Sequence, residues 1–225
     1  MKKTFVAAAL AAALLTGCSS GWEPLFENDS FDLWQSVFSD SFPEVGWSVE
    51  NGVVTSNPLG VRGGDIMTRK TYGNFILSAE FQLTPLSNSG IKYFINPGAF
   101  DKPNIGCEYQ IIDDKDFSEQ VEPLEDNRLT GSLYDIISAD KSKAGFDSKA
   151  WNTVTIKVKD GHVEHWLNGV KIVEYDRFSK EFDDAVAESK FAGCEGFGKF
   201  ETGHILIQDH DNSVRFRNVR IKELK

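Results

Sequence analysis

Residues 162–175 read HVEHWLNGVKIVEY and predict a β-hairpin. Within this stretch, His162–Leu167 and Val170–Tyr175 flank the dipeptide Asn168-Gly169. Both dipeptide positions tolerate the positive φ angles that a tight hairpin turn requires. The stretch therefore predicts two antiparallel strands joined by a two-residue turn.

The same period of two recurs along most of the chain and predicts further strands. Phe75 to Leu83 and Trp151 to Val158 both alternate apolar with polar residues. Asn51-Gly52 predicts another turn after the segment Trp47–Glu50. Strands are therefore expected at several places from Trp47 onward.

The C-terminal region predicts one more antiparallel pair. His204–His210 and Val214–Ile221 alternate on either side of Asp211-Asn212. In the last segment the apolar phase slips, which predicts a bulge near Arg217-Asn218.

Two stretches lack this alternation. Asp113–Ala150 is rich in charges and predicts one or more long loops, whereas Arg177–Lys190 spaces its apolar residues as one short amphipathic helix does. Many strands with turn signals between them and one helix predict a single all-β domain, an antiparallel β-sandwich.

The N-terminus has the pattern of a secretion signal. Two lysines precede an apolar run, Phe5–Leu15, of about 11 residues, whereas a membrane-spanning helix needs roughly 20. Leu15-Thr16-Gly17-Cys18 resembles the lipobox of bacterial lipoproteins. The pattern predicts removal of residues 1–17, lipidation of Cys18, a tether over residues 18–24 and a domain over residues 25–225. An ordinary cleaved signal with an incidental cysteine is the alternative.

The predicted lipid would anchor the protein to a bacterial membrane. Ser19, in place of aspartate, resembles the signal that sorts lipoproteins to the outer membrane. The chain carries 24 Lys+Arg against 34 Asp+Glu, a net charge of −10. Because an acidic protein repels phosphates, nucleic acid is not expected as a partner. The sequence leaves open the oligomeric state and whether Cys107 and Cys194 pair.

A set of short strings, taken in order, resembles the 3-keto-disaccharide hydrolase domain family, also known as DUF1080. The strings cover nearly the whole chain after the signal and are Leu25-Phe26, Asn28, Trp34, Trp47–Gly52, Tyr72–Phe75, Asn88–Phe94, Gly106, Glu108–Ile111, Asp113-Asp114, Gly131–Asp135, Trp151-Asn152, His165–Gly169, Gln208–His210 and Phe216–Val219. The resemblance implies a concanavalin A-like jelly-roll sandwich in an exported, sugar-active protein. It also implies hydrolysis of glycosides whose sugar is oxidised at carbon 3. Many members have arginine where this chain has Phe94, so Lys92 is a candidate for that cationic role.

The segment Glu108–Asp113 is the first candidate for the site. Glu108 and Gln110 share one face of the predicted strand, and Asp113 joins them only if a bulge intervenes. A half-buried strand that shows its polar side to water gives the same pattern. Concanavalin-like glucanases read Glu-x-Asp-x-x-Glu here, and Gln110 and Asp113 depart from that motif too far to predict a standard retaining glycosidase.

A 3-keto sugar needs less acid catalysis than an ordinary glycoside. Its ketone acidifies the hydrogen on carbon 2, so one base can remove this proton and expel the group on carbon 1, after which water adds. Glu108 and His210 are the candidate bases. Lys92, a metal ion or amide donors are candidates to stabilise the enolate, and Gln208 is expected on the same strand face as His210.

The other candidates have structural alternatives of equal weight. Asn88 either contacts sugar or forms a turn, and Tyr134 either contacts sugar or lies in the core. His165 is predicted to be a structural histidine. A divalent metal such as calcium is a candidate cofactor at two aspartate clusters, namely Asp113, Asp114 and Asp116 or Asp209 and Asp211.

Three functions remain open at this stage. The first is an enzyme that acts on an oxidised sugar or oligosaccharide. The second is a carbohydrate-binding module without catalysis, and the third is a surface lipoprotein whose polar sheet is only solvated.

Overall fold

The computed structural model of the protein describes residues 21–225 except Lys143 and Asp211. The predicted signal and Cys18 lie outside these residues. Strands and helices within the described residues are β1 (Glu23–Pro24), β2 (Trp34–Ser36), β3 (Trp47–Glu50), β4 (Val53–Ser56), β5 (Ile66–Tyr72), β6 (Phe75–Leu83), β7 (Asn88–Ile95), β8 (Cys107–Ile112), α1 (Asp114–Gln120), β9 (Asn152–Lys159), β10 (His162–Leu167), β11 (Val170–Asp176), α2 (Lys180–Ala187), β12 (Gly203–Ile207) and β13 (Val214–Glu223). A 3-10 turn spans Asp126–Arg128.

The strands form two antiparallel sheets packed face to face. The eight-stranded sheet has the order β11-β10-β9-β6-β13-β4-β3, with β1 paired to β13, and the five-stranded sheet has the order β2-β5-β12-β7-β8. The fold is the all-β jelly-roll sandwich that the sequence predicts. Because β1 includes Glu23 and pairs with β13, the sheet begins two residues before the predicted domain boundary at residue 25.

The alternating segments become the core between the sheets. In β6, Phe75, Leu77, Ala79, Phe81 and Leu83 are buried and their neighbours are partly exposed. Burial of such a row of side chains is the main stabilising contribution of a sandwich, at about 1.5–3 kcal/mol for each large apolar side chain. The period of two therefore predicts correctly which face of this strand meets the opposite sheet.

Two turns and one bulge match their predictions. Asn168 and Gly169 both have positive φ between β10 and β11, as do Asn51 and Gly52 between β3 and β4. The register of β13 against β6 shifts between Arg217 and Arg220, which confirms the bulge. The bulge keeps Phe216 and Ile221 in the same core despite the slip in phase.

Two predictions about the chain path are wrong. β12 and β13 do not pair with each other, because β12 lies in the five-stranded sheet and β13 in the eight-stranded sheet. The stretch after Asp113 is not all loop, since it contains α1, whose Phe117 packs inward. Residues 21–225, apart from the two undescribed positions, therefore contain two α-helices where one was predicted.

The predicted amphipathic helix is α2, within the expected range. The Ser179 hydroxyl accepts a hydrogen bond from the Phe182 amide at 3.1 Å and caps its first turn. Phe182 is buried against Tyr175. The turns that follow α2 carry Lys190 and Phe191 over the five-stranded sheet.

No helix within the described part of the chain is both long enough and apolar enough to cross a membrane.

Candidate active site

The outer face of the five-stranded sheet carries the polar residues of the site. In β8, Cys107, Tyr109 and Ile111 belong to the core between the sheets. Because side chains alternate along a strand, Glu108 and Gln110 point to the opposite face. Both are nonetheless buried, which shows that something other than solvent covers this face.

A recess of about 210 Å³ lies on this outer face. It brings together every predicted catalytic and substrate-binding residue except Asp113, and it adds one residue that the sequence did not indicate. Its lining residues are Asn88, Lys92, Glu108, Gln110, Tyr134, Lys190, Gln208 and His210.

Glu108 and Lys92 form a buried ion pair at the centre of this lining. They lie opposite each other in the β7–β8 register, and Lys92 Nζ is 3.5 Å from Glu108 Oε2. Glu108 is 6% exposed and Lys92 is 8% exposed. The ammonium also donates a hydrogen bond to the Asn104 carbonyl at 3.4 Å. Each charge offsets the cost of burying the other, so removing one partner would leave an uncompensated charge.

Gly90 creates the space that the Glu108 carboxylate occupies. It lies opposite Gln110 in β8, and a Cβ atom at this position would be 2.4 Å from Glu108 Oε1. Any larger residue must therefore displace the carboxylate. This requirement explains a glycine in the middle of a strand, where glycine is otherwise unfavourable.

We expect Gly90→Ala to lower kcat/KM by about 10–100-fold, because a displacement of about 1 Å in a catalytic group can cost this much. Steady-state kinetics measures the change, and circular dichroism checks the fold. Gly193→Ala is the matched control, since a Cβ there has no neighbour within 4 Å. Unchanged kcat/KM in Gly90→Ala would show that the position of Glu108 is unimportant.

Asn88 and Gln110 supply amide groups to the recess. Asn88 Oδ1 is buried and has no hydrogen-bond partner among the described residues. An unpaired buried acceptor is uncommon, and the hydroxyl group of a ligand is a suitable donor for it. Gln110 Oε1 accepts a hydrogen bond from the Ile111 amide at 3.1 Å, which leaves its side-chain NH₂ as the group that can donate.

Tyr134 and Lys190 form the other side of the recess. The Lys190 ammonium lies 4.0 Å from the centroid of the Tyr134 ring. Burial, with a further effect of the Glu108 charge, raises the pKa of Tyr134, so its phenol remains a neutral hydrogen-bond donor. Burial and the nearby Lys92 lower the pKa of Lys190, although Glu108 and Asp135 oppose this shift. Lys190 is thereby a stronger proton donor than an ordinary lysine.

The loop that contains Tyr134 is held to the outer edge of β8. The Tyr134 amide donates to the Glu108 carbonyl at 3.0 Å, and the Gln110 amide donates to the Ser132 carbonyl at 3.2 Å. Asp135 accepts from the Lys190 amide at 2.8 Å and from Arg128 Nε at 2.7 Å. These bonds fix Tyr134 and Lys190 relative to Glu108.

Asp65 connects Asn104 with the segment Gln208–His210 through two hydrogen bonds. Its Oδ2 accepts from Asn104 Nδ2 at 2.8 Å, and its Oδ1 accepts from the Asp209 amide at 3.0 Å. Asn104 is the residue whose carbonyl binds Lys92, and Asp209 lies between Gln208 and His210. One buried carboxylate thus positions groups on both sides of the recess.

A second recess of about 590 Å³ opens next to the first. The two share Lys92, Glu108 and Lys190. The other residues that line the larger recess are Asp101, Lys102, Asn104, Ile105, Gly106, Phe191, Gly193 and Cys194. Glu108 therefore stands where the two recesses meet.

A family model described as the 3-keto-alpha-glucoside-1,2-lyase-like domain matches residues 21–222. The chain belongs to this family. A 3-keto-disaccharide hydrolase of Bacteroides thetaiotaomicron is 28% identical over 252 residues, which cover 99% of this chain and 85% of that protein.

Two solved structures of candidate glycosyl hydrolases from Parabacteroides distasonis are also similar. One is 31% identical with a TM-score of 0.78 and covers 91% of this chain and 95% of that chain. The other is 25% identical with a TM-score of 0.67 and covers 90% of this chain and 99% of that chain. These similarities support a glycoside hydrolase.

In this 3-keto-alpha-glucoside-1,2-lyase-like domain, Asp113 lies outside the recess. The β7–β8 register is regular from Asn88 to Tyr93, so no bulge turns Asp113 toward Glu108. Asp113 is buried before α1, and its Oδ2 accepts a hydrogen bond from the Leu86 amide at 3.2 Å. Asp113 therefore has a structural role, and the prediction that it lies beside Gln110 in the site is wrong.

Neither aspartate cluster forms a metal site among the described residues. Asp114 pairs with Lys141 and accepts a hydrogen bond from the Thr130 amide, and Asp209 accepts from the Gly63 and Gly64 amides. Asp211 lies outside the described residues. The group of potential ligands that does converge is His162, Glu164 and Glu174, on the other sheet of the family domain.

His165 is a buried structural residue of the domain, as predicted. Its Nδ1 donates to the Gly131 carbonyl at 2.9 Å, and its Nε2 accepts from the Tyr93 hydroxyl at 2.8 Å. Cys107 and Cys194 are both free thiols. Phe94 is buried in the core with the Arg177 guanidinium 4.2 Å from its ring centroid, whereas Lys92 faces the recess.

Sequence reasoning missed Lys190 and the larger recess of the family domain. Lys190 stands at the end of the predicted helix, far along the chain from Glu108, and no spacing connects the two. Only the packing of the turns after α2 onto the sheet brings them together.

Proposed function

We propose that this protein cleaves glycosides whose sugar carries a ketone at carbon 3. The observation that carries the proposal is the convergence of the buried Glu108–Lys92 pair with Lys190, His210 and the amide groups in one recess. The family description and the name of the Bacteroides relative support the same class of substrate. A sugar-sized polar recess without a wide aromatic platform favours catalysis over simple binding.

In the first step, the Glu108 carboxylate removes the proton from carbon 2. The electron pair of that C–H bond moves into the adjacent ketone and gives an enolate. The position of Glu108 in the recess supports this role, since its carboxylate lies at the point where a bound sugar would meet Lys92 and Lys190. Lys92 and the Tyr134 phenol, which line the same recess, stabilise the negative charge that develops.

In the second step, the enolate re-forms the ketone and expels the oxygen on carbon 1. The C–O bond breaks with its electron pair, and a double bond forms between carbons 1 and 2. The departing oxygen takes a proton from Lys190, whose lowered pKa suits it to this transfer. The products are an enone and the free alcohol of the second group.

In the third step, water adds across the new double bond. Hydroxide is delivered to carbon 1 and a proton to carbon 2, so the net reaction is hydrolysis. His210 lines the same recess and takes the proton of the attacking water, a role that an imidazole can perform through either ring nitrogen. Glu108 returns its proton to carbon 2, which regenerates the carboxylate. The proton that His210 takes from water then replaces the one that Lys190 gave to the leaving group, so every group returns to its starting state.

The experiment compares a chromogenic 3-keto-glucoside with its unoxidised parent, each with and without a chelator. We expect the keto compound alone to be cleaved, because only its carbon-2 proton is acidic enough for a carboxylate. Loss of turnover with chelator would assign a role to a divalent metal such as calcium. Cleavage of the parent at a similar rate would contradict the elimination route, and cleavage of neither would favour a carbohydrate-binding lipoprotein.

We also propose that Cys18 carries a lipid that anchors the domain to a membrane, the outer membrane being the expected one. The lipobox-like sequence supports this proposal. Labelling of growing cells with a fatty-acid analogue should mark the wild-type protein and not Cys18→Ser. Equal labelling of both would refute lipidation at this residue.

A further inference from the structure

Three side chains that can bind a metal ion converge on the eight-stranded sheet, in the layer opposite the candidate active site. They are His162 and Glu164 in β10 and Glu174 in β11. One ligand atom from each lies within 4.8 Å of the other two. Val163 and Leu167 of β10 point into the core, so His162 and Glu164 point to the outer face of the sheet. The steps proposed above give these three side chains no role.

The strand register places the two glutamates side by side. Glu164 and Glu174 are direct partners in the β10–β11 pairing. Like charges that face each other on neighbouring strands are destabilising. A divalent cation between the two carboxylates removes this repulsion and uses both of them as ligands.

Two lysines offset part of the repulsion. Lys171 binds Oε2 of Glu174, and Lys157 Nζ lies 3.2 Å from Oε1 of Glu164. The lysine side chains are 37% and 39% exposed. Because both can turn into water, neither blocks the approach of a metal ion to the carboxylates.

The distances around His162 fit tetrahedral coordination. Its Nε2 is 2.9 Å from Glu174 Oε1 and 3.7 Å from Glu164 Oε1. Zinc binds histidine nitrogen and carboxylate oxygen at about 2.0–2.2 Å, which separates two ligands of a tetrahedron by about 3.4 Å. The two distances lie on either side of this value. Small side-chain rotations therefore complete three corners of the tetrahedron, and water can take the fourth.

Trp166 orients the buried ligand from outside the cluster. Its indole Nε1 donates a hydrogen bond to Glu164 Oε2 at 2.9 Å, so Oε1 is the oxygen that lies next to His162. A second hydrogen bond of this kind fixes the orientation of many metal-binding carboxylates. Glu164 is therefore held in position before a metal ion binds.

We propose that His162, Glu164 and Glu174 form a binding site for a divalent transition-metal ion, and that zinc is the ion it fits. Calcium and magnesium prefer ligand sets made of oxygen alone, whereas zinc accepts imidazole together with carboxylates. The ion joins β10 to β11, which is an edge strand of the eight-stranded sheet. Its role is to stabilise the fold, and it takes no part in turnover.

Calorimetric titration of the full-length protein, without a histidine tag, with zinc chloride tests this site. We expect wild type to bind one more zinc ion per chain, in the micromolar range, than His162→Gln or Glu174→Gln. These variants should fold, since the two side chains are 44% and 46% exposed. Glu223→Gln is the matched control, because Glu223 is also an exposed strand glutamate of this sheet paired with a lysine, Lys70. It should bind zinc as wild type does.

Thermal unfolding gives a second readout. Saturating zinc should raise the Tm of wild type and Glu223→Gln by about 5 °C more than the Tm of the two site variants, because an ion that binds only the folded state stabilises it. Equal zinc binding in wild type and His162→Gln, or no zinc binding by wild type, would overturn the proposal. Calcium binding at this site as tightly as zinc would also overturn it. None of these outcomes depends on cleavage of a keto-glycoside.

Discussion

Glu108→Gln is expected to lower kcat on a 3-keto-disaccharide by roughly 10²–10⁴-fold, which is the usual contribution of a general base. Glutamine keeps the size of the side chain in the space left by Gly90, but it cannot accept the carbon-2 proton. KM should change little, because the amide still fills the junction of the two recesses. Single-turnover kinetics with excess enzyme measures the chemical step directly.

Glu164→Gln is the matched control for this substitution. Glu164 is also a buried strand glutamate, 8% exposed, and it pairs with a lysine, Lys157, at 3.2 Å. It lies in the other sheet, so its substitution should leave turnover unchanged. His210→Asn tests the second base in the same assay. Full turnover in the double variant of Glu108 and His210 would exclude both residues from catalysis.

The stability of the domain is expected to fall by on the order of 3 kcal/mol between pH 6.5 and pH 4 because of His165 alone. Burial lowers the pKa of this histidine from 6.5 to about 4 in the folded protein. Between these two values the unfolded chain binds a proton that the folded chain does not. The contribution is therefore complete above about pH 6.5 and is lost as the pH falls toward 4.

Urea unfolding at a series of pH values measures this loss. His165→Gln should be less stable at neutral pH, since it disrupts contacts to Tyr93 and Gly131, but its free energy of unfolding should depend less on pH. Tyr93→Phe removes one hydrogen-bond partner and keeps the histidine, so the pH dependence should persist. The same slope in wild type and His165→Gln would show that this histidine does not titrate as expected.

The sequence predicts local structure better than it predicts which elements meet. The alternation in β6 and the dipeptide Asn168-Gly169 act within a few residues, and both predictions are confirmed. The pairing of β12 with β13 was wrong because adjacency in sequence does not determine the sheet to which a strand belongs. α1 was missed because it is short, has no side-chain cap and buries only Phe117.

In the candidate site, too, the local arrangement is predictable from the sequence and the contacts between distant segments are not. Glu108 and Gln110 are predictable because the period of two places them on one face of β8. Lys190 cannot be predicted in this way, since its position depends on how the turns after α2 pack against the five-stranded sheet. Asp113 was expected to reach the recess through a bulge in β8. The register of β7 against β8 is regular, so Asp113 stays outside the recess.

Two strands that come late in the described chain, β12 and β13, lie in the interior of the two sheets. β12 lies between β5 and β7, and β13 lies between β6 and β4, so each sheet lacks an interior strand until these two segments are present. Chains normally begin to fold from the N-terminal side as they are made, and pairing between distant segments is slow. Here the earlier strands cannot complete either sheet, so the described domain should fold only after β12 and β13 are available. Removal of the residues from 203 onward should then leave two split sheets that bind chaperones or aggregate.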